Sequence, residues 1–396
     1  MNIPIKLPKT KGIFNEIPRK SASLIIFRPH EISPSSYYNY QILLLKRNEK
    51  LKYGNRFAFP GGVCEPTDFF LLHKHYNDMT FHSHFDDENK IRLITAFRET
   101  LEEIGLLFFP YSINEKRLER LIEIKKRMKS RMLSFREYEY LFPLIQQDFL
   151  TPFNFMRLIT APYLPNRFDT YFYLLKIKKS RVFNWKQFYN NNDASKSFEK
   201  GVEKWDNLDM ETDEFTERLW VDPLEAIRKY QLSQIDMALP QFLILTILAN
   251  FQKHENLEDF MKILGRVNLF PRNYLLENPF VYPFIAYREK TENVHKDLKN
   301  VYPYCTLMPG DHMYPVDLVI ESEQDDILKA ELKMKYALLK ETKGKEDKCR
   351  IYFSRSQNRF KAKYKVEVNN RYKSPISQLK NHEVIDNYLK RVFVTM

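Results

Sequence analysis

The sequence has few cysteines and no long apolar run, and each shortage excludes a class of protein. Its three cysteines, Cys64, Cys305 and Cys349, are an odd number at spacings that match neither a metal ribbon nor a Cys-X-X-Cys pair. This pattern argues against a disulfide framework and predicts a reducing compartment. The longest apolar stretch, 237–251, is interrupted by Pro240 and Gln241. It is too short for a membrane span and predicts a buried helix.

Sorting signals are also scarce at the two ends of the chain. The first 20 residues carry five basic side chains and one acidic side chain, without the apolar core of a secretory signal. We therefore expect an intracellular protein, with a mitochondrial or other organellar lumen and the cytosol both open. The last three residues, 394–396, do not form a peroxisomal tripeptide.

The chain does contain enough apolar residues for a sizeable core, and it carries an excess of positive charge. Its 396 residues are 43% hydrophobic, which allows one large domain or two ordinary ones. The net charge is +12, and the segment 340–373 holds twelve Lys or Arg against four Asp or Glu, a balance of +8. Such a segment could face an anionic ligand, nucleic acid, a membrane surface or an acidic partner, or it could be an ordinary solvated face.

The apolar pattern predicts a mixture of strands and helices. Strands are expected at 23–27, 41–46, 56–60, 170–178 and 217–221, and a hairpin at 350–353 and 361–368. A helix is expected at 91–107, with Gly105 as its C-cap. One or two helices are expected within 117–149, and further helices from about 223, at 242–263 and at 327–339. We predict a basic segment 1–20, a main domain 21–265 with insertions at about 69–90 and 183–213, and an extension 266–396 that is basic from about 340.

The predicted helix 91–107 carries the chemistry. Residues three and four apart share a helix face, so Glu99 lies beside Glu102 and Glu103. Three acids so close repel one another unless a cation neutralises them, and Mg²⁺ or Mn²⁺ takes oxygen ligands and bridges substrate phosphates. Upstream, the pair Gly61-Gly62 allows close approach of the backbone, and Asp68 follows it.

This arrangement resembles the Nudix box: a glycine, five residues, an acid, a spacer, and then Arg-Glu-hydrophobic-X-Glu-Glu-X-Gly-hydrophobic. The matching positions are Gly62, Asp68, Arg98, Glu99, Glu102, Glu103, Gly105 and Leu106. The 29 residues between Asp68 and Arg98 exceed the family's usual spacer, and Thr100 stands where an aliphatic residue is usual. Asp in place of Glu, a long insert and Arg-Glu-Thr-X-Glu-Glu together resemble the branch of the peroxisomal acyl-CoA diphosphatases.

The resemblance implies an α+β Nudix fold, in which a mixed β-sheet is sandwiched between helices. It also implies a metal-dependent hydrolase that cleaves the diphosphate of CoA or acyl-CoA to adenosine 3′,5′-bisphosphate and (acyl-)4′-phosphopantetheine. Mg²⁺ or Mn²⁺ is the expected cofactor. Four carboxylates are expected to bind it: Glu99, Glu102, Glu103 and the auxiliary ligand Asp68.

The roles of Arg98 and Glu99 follow from the same resemblance. Arg98 is expected to orient Glu102, and Glu99 to act as a metal ligand or general base. The predicted contacts with substrate are made by Gly61, Gly62, Arg47, Arg56 and Arg167, since a polyanion such as CoA needs cations at several points.

Two alternatives stay open at this point. NADH, ADP-ribose or a capped RNA end could replace CoA, because one box serves many nucleotide substrates. The chain could also be a Nudix-fold subunit with a structural role in a large assembly, for example a mitochondrial one. Its long insertions and basic C-terminal extension would then be contact surfaces.

Overall fold

The computed structural model describes parts of the chain that fall into two compact units. The described residues are 16–30, 38–69, 87–108, 152–162, 164–177, 182–184, 213–267, 284–285, 287–290, 293, 304–307, 313–342, 349–355 and 362–368. We call Ser21–Met156 with Tyr171–Asn278 the core unit. Met1–Lys20, Arg157–Thr170 and Pro279–Met396 form the terminal unit. The predicted linear division at residues 20 and 265 stays a prediction, and the predicted helices within 117–149 lie outside the described residues.

A mixed β-sheet forms the centre of the core unit. Its described strands are β1 (Arg19–Pro29), β2 (Tyr40–Arg47), β3 (Arg56–Ala58), β4 (Gly61–Val63), β7 (Phe168–Lys176), β9 (Phe215–Val221) and β10 (Asp236–Met237). The order is β10-β3-β2-β1-β7, while β4 pairs with β1 and β9 with β2. A separate pair is formed by β5 (Leu106–Phe108) and β8 (Val182–Asn184), and β6 (Phe153–Ile159) contributes residues to both units, as does β7.

The register of this sheet places the glycine pair. Ile42 of β2 lies opposite both Phe27 and Val221, so β2 has β1 along one edge and β9 along the other. The start of β1 pairs antiparallel with β4, which sets Gly61 opposite Ser23. Because β3 runs parallel to β10, the sheet is mixed. The five strands predicted from 23–27 to 217–221 are confirmed, with shifted ends.

The strands at the centre of the sheet are buried on both faces. Leu24 to Phe27 and Ile42 to Leu45 have no exposed surface. Continuous aliphatic runs of this kind are typical of sheets covered on both sides. The sequence pattern therefore determines which strands are central.

Helix α1 (Asp87–Ile104) carries the acidic cluster. It buries Leu93, Ala96, Leu101 and Ile104, which recur at helical spacing. It ends as predicted at Gly105, whose N–H donates to the Leu101 carbonyl at 2.9 Å with φ 66°. The helix predicted over 91–107 is confirmed with shifted bounds, because it begins at residue 87 and the chain enters β5 at Leu106.

Within the described residues, three further helices belong to the core unit: α2 (Pro223–Gln231), α3 (Leu239–Leu248) and α4 (His254–Val267). The single helix predicted at 242–263 was wrong, since the chain breaks between α3 and α4. The Asn250 side chain donates to the Thr246 carbonyl at 3.0 Å, and the Tyr40 hydroxyl donates to the Leu248 carbonyl at 2.9 Å. These contacts satisfy carbonyls at the end of α3. No helix in the described part of the chain is long and apolar enough to cross a membrane.

The terminal unit has its own sheet and core. Strands β12 (Tyr287–Lys290), β13 (Tyr304–Leu307), β14 (Cys349–Arg355) and β15 (Ala362–Val368) form an antiparallel sheet, and β11 (Phe284–Ile285) runs parallel to the end of β6. Helices α5 (Val316–Glu321) and α6 (Asp326–Thr342) pack Val319, Leu328 and Tyr336 into one apolar cluster. The predicted helix at 327–339 and the C-terminal hairpin are confirmed. The α+β class predicted from the sequence is likewise confirmed.

Candidate active site

The glycine pair at the start of β4, which we call the glycine turn, lies so close to other atoms that Gly61 has no room for a side chain. Gly61 has φ 150°, and a Cβ there would lie 2.3 Å from the Ala22 carbonyl oxygen. A Cβ on Gly62 would lie 2.2 Å from Oε1 of Glu99. The turn therefore brings its backbone directly against the carboxylates of α1.

Glu103 is held by this turn. Its side chain is buried, and its Oε2 accepts a hydrogen bond from the Gly61 N–H at 3.0 Å. Burial raises the pKa of Glu103 well above its ordinary value, and the nearby charge of Glu99 raises it further. The hydrogen bond from Gly61 and the charge of Arg47 act in the opposite direction. A carboxyl so placed favours its protonated form unless a cation lies beside it.

Glu99 lies next to Glu103 in the same buried corner. Its Oε1 is 3.1 Å from Nη2 of Arg98. Burial raises the pKa of Glu99 to about 7, and the charges of Glu102 and Asp68 add to the rise, although Arg98 opposes it. Glu99 can therefore exchange a proton near neutral pH.

Arg98 connects the acids of the site. Its buried guanidinium donates from Nε to Oδ1 of Asp68 at 2.8 Å and from Nη1 to Oε2 of Glu102 at 3.0 Å. Nη2 also donates to the Val63 carbonyl at 3.0 Å. Burial opposes the charge of Arg98, but the hydrogen bond to Asp68 and the surrounding carboxylates outweigh it and raise the arginine pKa. The predicted contact between Arg98 and Glu102 is thus present.

Both carboxylate oxygens of Asp68 accept hydrogen bonds from protein groups. It is completely buried, and Oδ2 accepts from Oγ1 of Thr95 at 2.9 Å and from the Glu65 N–H at 2.9 Å, in addition to the bonds from Arg98. In this arrangement it is the counterion of Arg98. Its predicted role as an auxiliary metal ligand stays a prediction. Sequence reasoning missed Thr95, because no motif marks a hydroxyl that binds an acid 27 residues away.

The carboxylates of Glu99, Glu102 and Glu103 are of the type that binds a hard divalent cation, but they do not converge on one point in this structure. In the described residues no group of three or more His, Cys, Asp or Glu side chains is positioned to hold a metal ion. The half-buried carboxylate of Glu99 and the buried carboxylate of Glu103 nevertheless interact directly, and Glu102 on the next turn has a side chain that is 34% exposed. Mg²⁺ and Mn²⁺ take oxygen ligands of this kind. A cation at Glu99 and Glu103 would offset the repulsion between them.

Two of the cations predicted to contact substrate, Arg47 and Arg56, lie in the core unit. The charge of Arg47 acts on Glu103, and its Nε is buried without a hydrogen-bond partner. The guanidinium of Arg47 also lies 5.8 Å from the centre of the Phe215 ring. Arg56 pairs with Asp236 through Nε and Oδ2 at 3.1 Å. Arg47 is therefore the better placed of the two to meet an anion next to Glu103.

The third predicted cation, Arg167, belongs to the terminal unit. Its guanidinium is fully buried and donates to both oxygens of Glu323, at 2.9 Å from Nη1 and 2.5 Å from Nη2. It also donates to the carbonyls of Thr160 and Glu16. These bonds give Arg167 a structural role, and its predicted contact with a substrate phosphate stays a prediction.

Comparisons with known proteins give distant likenesses. No family model and no curated protein matches this sequence. Among solved structures, a NUDIX hydrolase from Alicyclobacillus acidocaldarius is 19% identical over 61% of this chain and 96% of its own, with a TM-score of 0.39. A C. elegans Ap4A hydrolase in a binary complex is 13% identical over 62% of this chain and 96% of its own, with a TM-score of 0.22. At these values the likenesses do not define what this chain does.

Proposed function

We propose that this chain is a metal-dependent Nudix hydrolase that cleaves the diphosphate of a nucleotide-linked substrate. The observation that carries the proposal is the hydrogen bond from the Gly61 N–H to Glu103. It joins the glycine turn to the acidic helix, two elements that lie 42 positions apart in the sequence. An ordinary acidic helix at the surface would need neither the turn nor buried carboxylates.

The side chains of the site have distinct tasks in this proposal. Glu99 would act as a metal ligand or as the base that accepts a proton from an attacking water, and its raised pKa of about 7 belongs to the metal-free site. Arg98 holds Glu99 and Glu102 in place through its guanidinium. Gly61 fixes Glu103 through its backbone, and Arg47 supplies positive charge beside it. The arrangement of these groups before substrate arrives lowers the reorganisation that the reaction requires.

Mg²⁺ or Mn²⁺ would be held by Glu99, Glu102 and Glu103, with Asp68 fixing Arg98 behind them. When bound, such a cation polarises phosphoryl oxygens and lowers the pKa of water. The buried carboxyls of Glu99 and Glu103 are the groups whose charged forms a cation would favour.

For the substrate we propose CoA or acyl-CoA, with adenosine 3′,5′-bisphosphate and (acyl-)4′-phosphopantetheine as products. Support comes from the sequence: Asp68, the long spacer after it and the run Arg98-Glu99-Thr100. The site in the core unit adds Arg47, whose Nε has no hydrogen-bond partner among the described residues, as a cation for a polyanionic substrate. A mitochondrial or other organellar lumen, or the cytosol, would provide such a substrate.

The proposal is tested by hydrolysis of CoA, acyl-CoA, NADH and ADP-ribose with and without Mg²⁺, by wild type and Glu102→Gln. We expect Mg²⁺-dependent release of the bisphosphate from CoA species, with the rate of the variant reduced about 100-fold or more, as for loss of a charge-stabilising group. Turnover of another member of the panel, but not of CoA, would support the hydrolase activity and reject CoA as its substrate.

One observation favours the alternative, a Nudix-fold subunit of an assembly. Asp68 and Glu102 are both engaged by Arg98, and no three carboxylates among the described residues are arranged around one point. On this alternative the charged network would serve as structure. A folded protein that turns over no substrate in the panel with Mg²⁺ or Mn²⁺ present would favour it over hydrolysis.

A further inference from the structure

The hairpin loop between β2 and β3 carries an aromatic residue in an unusual conformation. Tyr53 has φ 62°, a left-handed backbone that is uncommon for a bulky side chain. Its neighbour Gly54 is packed so tightly that a Cβ would lie 2.5 Å from the Asn48 carbonyl oxygen. The loop is thus closely folded, yet Tyr53 is 51% exposed. Strain of this kind at an exposed aromatic is a reason to look for a ligand.

Two cations flank the ring of Tyr53. Nζ of Lys52 lies 5.5 Å and the guanidinium carbon of Arg56 5.8 Å from its centre. Arg56 is also anchored by Asp236, whereas Lys52 is exposed and forms no ion pair among the described residues. A contact between an exposed ammonium and an aromatic ring is weak in water, and stacking of a nucleobase on the ring is stronger. A base stacked on the ring can therefore replace the contact with Lys52.

The hairpin leads from this ring to the acidic site. At its base, the Asn55 N–H donates to the Arg47 carbonyl at 3.0 Å, and Arg47 is the cation whose charge acts on Glu103. On the return strand, Arg56 precedes Gly61 by five residues, and Gly61 binds Glu103. The hairpin that carries Tyr53 is thus joined to the acidic site through Arg47 at its base and through Gly61 after its return strand, all within the core unit.

We propose that Tyr53 is the platform on which the base of a nucleoside diphosphate stacks, with Lys52, Arg56 and Arg47 guiding its phosphates toward the Glu99 and Glu103 corner. The assignment rests on the proposed function for the direction of the phosphates. It goes beyond that function by naming the part of the ligand that the loop selects. The site distinguishes a nucleotide from a bare diphosphate.

The test measures binding in place of turnover. Dissociation constants for ADP and for inorganic pyrophosphate are determined by calorimetry on the full chain, for wild type, Tyr53→Ala and Tyr53→Phe. We expect Tyr53→Ala to weaken ADP binding by roughly 5- to 150-fold, the range for loss of one stacked base. Tyr53→Phe keeps the ring and should bind ADP within about twofold of wild type, since stacking does not use the hydroxyl.

Pyrophosphate separates stacking from damage to the loop. Because it has no base, its affinity should be the same in all three proteins, whereas a distorted hairpin would weaken both ligands by moving Arg47. Equal ADP affinity in wild type and Tyr53→Ala, equal losses for ADP and pyrophosphate, or no ADP binding to wild type would each overturn the inference. Tyr53-dependent ADP binding without hydrolysis of any substrate would keep the inference and reject the proposed function.

Discussion

Nε of Arg98 donates to Oδ1 of Asp68 at 2.8 Å, and both side chains are almost completely buried. This pair sets the geometry of the site, because the other nitrogens of Arg98 reach Glu99 and Glu102. Removing one member of a buried pair leaves the other charge without compensation. The pair is therefore the point at which stability and site geometry are coupled.

We predict that Asp68→Ala lowers the free energy of unfolding by about 3–5 kcal/mol, since Arg98 would keep its charge without its main partner. Urea unfolding measures the change. Glu65→Ala is the matched control, because Glu65 is an exposed carboxylate 4.0 Å from the same guanidinium. Its loss should cost less than about 1 kcal/mol. Equal losses in the free energy of unfolding for the two variants would show that burial does not increase the contribution of the Asp68–Arg98 pair to stability.

The two glycines of the turn should separate stability from activity. Gly61→Ala places a Cβ against backbone atoms at a positive φ, so we expect a loss of about 2 kcal/mol or more in the free energy of unfolding. Gly62→Ala meets the mobile end of Glu99 instead and should leave unfolding within about 1 kcal/mol of wild type. Moving Glu99 should nevertheless lower the rate of diphosphate hydrolysis at least tenfold. A fully active Gly62→Ala protein would show that the position of Glu99 is not needed for hydrolysis.

The metal-free protein should lose stability as pH rises. The pKa of Glu99 is raised from 4.5 to about 7, so its contribution favours the folded state fully below pH 4.5 and is lost as pH rises through about 7. We expect a decrease on the order of 2 kcal/mol between pH 5 and 8, measured by urea unfolding in EDTA. Glu99→Gln should show a smaller decrease, and Mg²⁺ should restore more stability at pH 8 than at pH 5. A pH-independent wild type would contradict the raised pKa of Glu99.

Arg167 and Glu323 give a test of structure against substrate binding. Each single change to Leu should lower the free energy of unfolding by about 3–5 kcal/mol, whereas the double variant Arg167→Leu with Glu323→Leu should recover most of that loss. If the double variant also hydrolyses CoA with the KM of wild type, Arg167 has no role in binding phosphate. A stable double variant with a clearly raised KM would instead support the contact predicted from the sequence.

The sequence predicts those features of the fold and the site whose cause lies in a few neighbouring residues. The end of α1 at Gly105 follows from the freedom of glycine to adopt φ 66°, and the contact from Arg98 to Glu102 follows from helical spacing. The buried strands follow from aliphatic runs that only a covered sheet accommodates. In each case a few neighbouring residues contain the cause.

The features that could not be predicted depend on distant partners. The break after α3 is supported by the hydroxyl of Tyr40, more than two hundred positions away. The position of Asp68 against Arg98 and Thr95 depends on how the long spacer returns, which no pattern within it reveals. The motif identifies Asp68 as an acid of the site, but it does not say whether its oxygens face a metal or an arginine.

The most direct test of the proposed active site is the variant Glu103→Gln, which keeps an oxygen for the Gly61 N–H and removes the buried charge. We predict that it resists urea at least as well as wild type in EDTA at pH 8, because burial already disfavours the charge of Glu103. We also predict that its Mg²⁺-dependent hydrolysis of CoA falls by at least 100-fold. A variant as stable as wild type that still hydrolyses CoA at the wild-type rate would contradict the account.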